Sequence, residues 1–188
     1  VAALDLGFKA NAIAVDEALD KAVLTAGTEN QAHVLDLATL TLQTAYPLPS
    51  NPGAVALQAD THVAVVASRE SDAVSLVDLA SGLATPSFTS IEKAHALAVS
   101  NRYNEAVVLS GERDEVTFVQ LPNPVPVLQA ISPALTPAGT PALVLSITGS
   151  GFVDASKAHF GEIALTTRWQ SATELEADVP AELLVAPG

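Results

Sequence analysis

The sequence contains no cysteine and no methionine, and aromatic residues are scarce, with one Trp, two Tyr and five Phe in 188 residues. The lack of cysteine excludes disulfide frameworks, thiolate zinc sites and cysteine nucleophiles together, and it leaves the redox compartment open. So few rings cannot form a stacking platform for single-stranded nucleic acid, or a carbohydrate cleft built chiefly on aromatic side chains.

Positive charge is also scarce, because 8 Lys and Arg face 21 Asp and Glu, which gives a net charge of −13. Such a chain repels a phosphate backbone and an anionic lipid surface alike, so a nucleic-acid partner is excluded. Apolar residues make up 49% of the chain and charged residues 15%, which is too apolar for a disordered protein. At roughly 150 residues per domain, we expect one to two domains, and two small ones as the working count.

No apolar run approaches the roughly 18 residues that a membrane-spanning helix needs, so no membrane span is predicted. The densest apolar runs, residues 94–99 and 142–147, have the length of strands. No charged-then-apolar leader follows Val1, so we expect any export signal to have been removed or to lie upstream.

Short segments recur without gaps at a fixed period of about 42 residues, and this period predicts a repeat architecture. The aligned triplets are 12–15, 54–57 and 96–99; 22–24, 64–66 and 106–108; and 34–37, 76–79 and 118–121. Each repeat holds runs rich in Val, Leu and Ala at roughly ten-residue intervals, separated by polar turns, which is typical of antiparallel strands. Weaker fourth runs fall at 40–46 and 83–88. Four strands in about 40 residues is the size of a propeller blade, so residues 1–121 are predicted to be all-β, with repeats starting near residues 12, 54 and 96.

The repeats contain AIAVD, AVLTA and VLDLAT, and then AVALQ, AVVAS and LVDLAS. This pattern resembles the bacterial YVTN and NHL-like β-propeller repeats over about two thirds of the chain. Gln120 replaces the expected aspartate and a proline-rich stretch follows, so the third repeat is expected to lack its last strand. In register, residues 1–6 are expected to form the fourth strand of a blade whose other strands are not present.

Closed propeller rings use about 4 to 8 blades, so three repeats cannot close alone. We therefore expect a fragment of a longer protein, with a second copy that supplies the remaining blades as the alternative.

Residues 122–126 are predicted to be a linker, since proline occupies three alternate positions there and holds the chain extended.

Residues 127–188 are predicted to form a small β-sandwich, because short strands alternate there with glycine-containing turns. The predicted strands are 127–133, 143–152, 158–161 and 171–179. The segments ISP, LSITGSGF, HFG and SATELEADVPA resemble an IPT/TIG domain, an immunoglobulin-like fold. Gly149 and Gly151 are expected to permit positive φ and close backbone approach, and Phe152 to fill the interior. Such domains continue into a final strand, so we expect this one to be truncated, with an unpaired edge.

The four histidines are not spaced as local metal ligands, so no metal site and no cofactor is predicted. His62 is expected to begin a strand and His159 to end one, both at sheet margins. Trp169 is expected to pack in the sandwich core or at its edge.

Two clusters of carboxylates are candidate calcium sites: Asp16, Glu17 and Asp20, and Glu112, Asp114 and Glu115. Neither cluster has the regular oxygen spacing and the glycine at the bend that a calcium loop needs, so solvated turns are expected there. No Gly-x-Ser-x-Gly nucleophile motif or phosphate-binding glycine motif occurs.

Five residues are candidates for ligand binding on a rim of the predicted propeller. Arg69, Glu70, Glu112 and Arg113 fall between the predicted second and third strands of their repeats, a rim where propellers bind ligands according to the resemblance. His95 stands where the preceding repeat has Gly53, at the entry to the third inner strand. The alternative to ligand binding is that these side chains form weak surface ion pairs, Arg69 with Glu70 and Arg113 with Asp114.

Three functions remain open. The first is a non-enzymatic scaffold, extracellular, on the cell surface or periplasmic, in which propeller and IPT/TIG loops contact a protein or a glycan; this rests on analogy of fold. The second is a fragment of a propeller enzyme whose catalytic blades are absent from this chain. The third is a polymer subunit that self-associates by exchanging strands at incomplete β-edges.

Overall fold

The computed structural model describes residues 3–89 and 91–185, and it is all-β, as predicted from the sequence. The chain forms two compact units, Val1–Ser100 with Asn104–Leu121, and Asn101–Tyr103 with Pro122–Gly188. Within the described residues, no helix combines the length and the apolar character needed to cross a bilayer.

The first unit consists of three successive antiparallel sheets in which each strand pairs with the next one in sequence. The strands of the first sheet are β1 (Ala12–Asp16), β2 (Lys21–Ala26), β3 (Gln31–Asp36) and β4 (Thr41–Pro47). Those of the second are β5 (Pro52–Gln58), β6 (Val63–Ser68), β7 (Ala73–Asp78) and β8 (Leu83–Thr89). The third sheet has three strands, β9 (Ala94–Ser100), β10 (Glu105–Ser110) and β11 (Val116–Gln120). The expected loss of its fourth strand is therefore seen.

The prediction of a strand at residues 1–6 is wrong for the part that the structure describes, since residues 3–6 have no strand conformation; Val1 and Ala2 lie outside the described residues. A fourth strand needs the third strand of its own sheet as a hydrogen-bonding partner, and no strand of the described residues pairs with this segment. The segment instead covers the first sheet, because Leu6, Phe8 and Ala10 pack on Ala22 and Leu24.

Hydrophobic packing joins each sheet of the first unit to the next, because neighbouring residues of β6 point to opposite faces. Ala64 and Val66 belong to the core shared with the first sheet, whereas Val65 and Ala67 belong to the core shared with the third. All four side chains are fully buried. Burial of one valine contributes roughly 1.5–3 kcal/mol, so the middle sheet is stabilised from both sides.

Left-handed backbone conformations recur at equivalent positions of the repeats in the first unit, and one set of these positions lies immediately before the second strand of each sheet. Asp20, His62 and Asn104 have φ of 50, 58 and 54°. Each accepts, through its carbonyl oxygen, a hydrogen bond from the leucine that follows the third strand of its sheet, at 2.8–2.9 Å. Non-glycine residues seldom adopt this conformation, so its recurrence means that the three sheets turn in the same way at equivalent positions.

The second unit contains a four-stranded antiparallel sheet with the order β12-β13-β17-β16, and a two-stranded hairpin of β14 and β15. Their bounds are β12 (Val127–Ser132), β13 (Leu143–Ser150), β14 (His159–Phe160), β15 (Ile163–Ala164), β16 (Thr166–Ser171) and β17 (Glu174–Val179). Phe152 is buried in the core with Ile147 and Leu175, as expected. Trp169 packs partly buried against this core, and its indole N–H donates to the carbonyl oxygen of Phe152 at 3.1 Å.

The two turn glycines of this unit have different roles. Gly151 has a φ of 72°, the conformation that was expected of both. The backbone of Gly149 does not have a positive φ. A Cβ at position 149 would nevertheless clash with the carbonyl oxygen of Val127 and would lie 2.7 Å from the Phe152 ring. Close packing, rather than backbone conformation, therefore requires glycine at position 149.

Candidate functional site

The candidate residues of the first unit lie at one end of its sheets. Arg69 and Glu70 follow β6, and Glu112 and Arg113 follow β10, so both pairs lie between the second and third strands of their sheets. His95 is the second residue of β9, an exposed position in the strand rather than in a turn before it. Since β6 and β10 are equivalent strands, their carboxyl ends bring these loops to the same edge.

Four of the five candidates meet in one shallow pocket of about 430 Å³. We call it the rim pocket. It is lined by Asn51, Arg69, Glu70, Lys93, His95, Gly111 and Glu112.

Two contacts hold the acidic side chains of the rim pocket. The Lys93 ammonium forms an ion pair with the Glu112 carboxylate. The Asn51 side-chain amide donates to the Glu70 carboxylate at 3.2 Å. The carboxylates of Glu112 and Glu70 therefore each already have a partner inside the pocket, an ammonium group for Glu112 and an amide donor for Glu70.

The backbone places Asn51 and Lys93 in equivalent ways, immediately before β5 and before β9. Asn51 has a φ of 58° and Lys93 of 43°. The Asn51 N–H donates to the side-chain oxygen of Asn30 at 2.9 Å, and the Lys93 N–H donates to the Asp72 carboxylate at 3.0 Å. A polar residue after the second strand of one sheet thus fixes the entry of the chain into the next sheet.

The basic side chains Arg69 and His95 are the available groups of the rim pocket. Both are exposed, and among the described residues neither side chain has a hydrogen-bond or ion-pair partner. The expected pair between Arg69 and Glu70 is therefore not formed. Arg69 lies over Gly53, where a Cβ would be in ordinary contact with the guanidinium Nε, at 3.6 Å.

Arg113 is the candidate that the structure does not place in the pocket lining. Its guanidinium pairs with Glu92, with Nε 2.9 Å from a carboxylate oxygen, and not with Asp114 as expected. Glu115 lies farther away, at 3.9 Å. Hydrogen bonds and charge attraction from Glu92 raise the pKa of Arg113 above its ordinary value. This side chain is committed to a surface ion pair.

Sequence reasoning missed Asn51, Lys93 and Gly111. The signal was present, because Asn51 and Lys93 are separated by one repeat period and so occupy equivalent positions in successive sheets. The Gly111 N–H donates to the Lys93 carbonyl oxygen at 2.9 Å. A Cβ at Gly111 would lie 3.4 Å from the His95 ring. This glycine therefore lets the β10 loop approach β9 closely.

The remaining histidines lie elsewhere. His33 stacks on Phe8 and lies 3.1 Å from Glu29. His62 is in the turn before β6, one residue earlier than expected, and His159 begins β14 rather than ending a strand. Within the described residues, no three His, Asp or Glu side chains are grouped as metal ligands would be.

Asp16 is not in a solvated turn, contrary to expectation. Its side chain is 2% exposed and accepts hydrogen bonds from the N–H groups of Ala18 and Leu19, both at 3.1 Å. Its second oxygen lies 2.8 Å from Nδ1 of His62, which precedes the second strand of the next sheet. Gln58 and Asn104, the residues at the same positions one repeat later, form the equivalent hydrogen bond between the second and third sheets.

No protein-family model matches the sequence, and no curated protein matches it. Among the solved structures similar to this chain is the hydrazine synthase of Kuenenia stuttgartiensis, with a TM-score of 0.47 and 10% identity. The similarity covers 91% of this chain and 66% of that one, so this chain spans slightly less than two thirds of its length.

Proposed function

We propose that this chain is part of a non-enzymatic binding protein, located extracellularly, on the cell surface or in the periplasm, whose rim pocket binds an acidic loop of a partner protein. We infer that the first unit consists of β-propeller repeats of the YVTN or NHL type, and the second of an IPT/TIG domain. The successive antiparallel sheets, which pack face to face and repeat equivalent positions in register, support the first assignment. The four-stranded sheet around Phe152 supports the second.

The main support for this proposal is that the Arg69 side chain has no hydrogen-bond or ion-pair partner among the described residues. Its guanidinium is exposed in a pocket where both carboxylates already have partners, and it has none of its own among the described residues. An arginine offers a planar fork of donors that matches a carboxylate in bidentate geometry. His95 lies in the same pocket and adds a second donor.

A protein partner is favoured over a glycan because the described lining of the rim pocket includes no aromatic ring on which a sugar face would stack. A binding function is favoured over catalysis because the described lining includes no hydroxyl or thiol nucleophile beside His95. The basic groups of the pocket suit an anionic group of a partner, although the protein as a whole is strongly acidic.

The proposal is tested by titrating the whole chain with a capped tetraglutamate peptide, and with tetraglutamine as the uncharged control, by isothermal titration calorimetry. We expect tetraglutamate to bind and tetraglutamine not to bind. Arg69→Gln should weaken tetraglutamate binding by roughly fivefold, since an exposed ion pair contributes up to about 1 kcal/mol.

Lys9→Gln is the matched control, because it removes the same charge from an exposed position outside the rim pocket. Equal weakening by Lys9→Gln and Arg69→Gln would mean that only net charge matters, and would refute the proposal. Binding of an acidic oligosaccharide such as oligogalacturonate in preference to tetraglutamate would assign a glycan partner instead.

A further inference from the structure

The second unit contains a cavity of about 420 Å³ that opens from its hydrophobic core, which we call the sandwich cavity. Its floor is made of buried side chains such as Ile147, Leu165 and Leu175, each at most 7% exposed. Exposed Leu135 and Phe160 lie at its border. Small-molecule sites commonly have volumes of about 300–1,000 Å³ and mostly apolar walls, so the sandwich cavity has the size and lining of such a site.

The walls of the cavity come from separate parts of the unit. Strands β13 and β17 form the floor together with Leu165, the loop at residues 133–136 after β12 forms one side, and residues 157–160 form another. The space is therefore a pocket with sides rather than a flat sheet face. A flexible aliphatic chain can follow such a space and bury its methylene groups there.

The ionisable side chains at this cavity are both basic. Lys157 and His159 line it, and the described lining contains no Asp or Glu, although acidic residues outnumber basic ones by 21 to 8 in the chain. Neither the Lys157 ammonium nor the His159 ring has a hydrogen-bond or ion-pair partner among the described residues. The third polar side chain of the lining, Thr136, donates its hydroxyl hydrogen to Thr140 at 2.9 Å. An acidic protein thus keeps an ammonium group and an imidazole ring available beside an apolar pocket.

We propose that the sandwich cavity binds an aliphatic carboxylate of the fatty-acid class, with the carboxylate at Lys157 and His159 and the alkyl tail on the apolar floor. The charge of the lining and its apolar depth complement the two ends of such a molecule. This site is separate from the rim pocket, and its ligand does not depend on the function proposed above.

The test titrates the whole chain with hexanoate, octanoate and decanoate below their micellar concentrations. Trp169, the single tryptophan, packs against the hydrophobic core whose residues line the cavity, so its fluorescence reports both binding and the melting of the second unit. We expect affinity to rise about fourfold for each added methylene group, and decanoate to raise the melting temperature.

Variants separate the two ends of the ligand. Lys157→Gln should weaken decanoate binding by about fivefold and leave decanol binding unchanged, while Lys9→Gln in the first unit should change neither. Ala134→Trp, at an exposed loop position in the lining, should block both ligands without lowering the melting temperature of the unliganded protein.

Three outcomes would overturn the proposal. The first is an affinity that does not rise with chain length. The second is decanoate binding that survives both Ala134→Trp and Lys157→Gln, which would be nonspecific adsorption. The third is a concentration-dependent dimer in sedimentation experiments that persists in saturating decanoate, because a second copy would then cover this face. None of these outcomes would alter tetraglutamate binding at the rim pocket, so the two proposals fail separately.

Discussion

At the scale of single residues, two glycines of the first unit differ in what surrounds them. A Cβ at Gly111 would lie 2.8 Å from the Lys93 carbonyl oxygen, which is closer than packed atoms tolerate. The nearest atom to a Cβ at Gly53 would be Nε of Arg69, at 3.6 Å, an ordinary contact distance. Glycine is therefore needed at 111 and replaceable at 53.

We predict that Gly111→Ala lowers the free energy of unfolding by roughly 1–3 kcal/mol, because the β10 loop must move away from β9. The same shift displaces Lys93 and His95, so tetraglutamate binding should weaken. Gly53→Ala should stay within about 0.5 kcal/mol of the wild type. Urea unfolding followed by far-UV circular dichroism measures both, and equal effects of the two substitutions would contradict this account.

Some single residues of the rim pocket could be predicted from the sequence and others could not. Arg69, Glu70, His95 and Glu112 could be brought together from the sequence alone, because the repeat period puts their loops at one edge. Arg113 could not be assigned correctly, since its partner Glu92 is 21 residues away in sequence and meets it only after folding. Nothing local distinguishes an arginine in an ion pair from a free one.

At the scale of strands and sheets, Asp16 joins the first sheet to the second, and we predict that Asp16→Ala destabilises the first unit by roughly 1–3 kcal/mol. The substitution removes a buried carboxylate and leaves the N–H groups of Ala18 and Leu19 and the His62 ring without their acceptor. Glu17→Ala, at the exposed neighbouring position, should change stability by less than about 0.5 kcal/mol.

Circular dichroism during urea unfolding measures this difference, while Trp169 fluorescence follows the second unit separately. If Asp16→Ala and Glu17→Ala have the same midpoint, the contact between Asp16 and His62 does not stabilise the junction between the two sheets.

In the second unit, a cross-strand ion pair predicts a dependence of stability on pH. Arg168 on β16 donates two hydrogen bonds to the Asp178 carboxylate on β17, at 2.7 and 2.8 Å. These hydrogen bonds lower the pKa of Asp178 below its ordinary value. A carboxyl group whose pKa is lowered by folding stabilises the folded state above its unfolded pKa, and this contribution is lost as the pH falls through the folded value.

We therefore expect Asp178→Asn to melt at a lower temperature than the wild type at about pH 7, and this difference to shrink as the pH falls towards about 2. Trp169 fluorescence reports both transitions. Glu162→Gln serves as the control, since Glu162 has no ion pair among the described residues. A difference between Asp178→Asn and the wild type that is as large at pH 2 as at pH 7 would assign the effect to packing instead.

Elements could be predicted where apolar runs are long enough to show a pattern. The eleven strands of the first unit follow such runs, and β12, β13 and β17 do so in the second. The two-residue strands β14 and β15 are too short to show alternation, and only His159 and Phe160 had been placed on a predicted strand. The burial of Asp16 was missed because it depends on the next sheet, which brings His62 against a residue that reads locally as a turn.

At the scale of the whole molecule, the fold class could be predicted because the repeat period and the composition act together over many residues. The binding residues could only partly be predicted, because an available charge is defined by the absence of a partner in three dimensions. Binding at the rim pocket therefore depends most on whether the guanidinium of Arg69 is free to bind an acidic group.

The most direct measurement of that claim is nitrogen-15 NMR of the arginine side chains. The sequence contains four arginines, so four Nε–H signals are expected. During titration with tetraglutamate, the account predicts that the Arg69 signal shifts, while the signals of Arg113 and Arg168, which are held in ion pairs, stay in place. An Arg69 signal that does not move at saturating peptide would contradict the account.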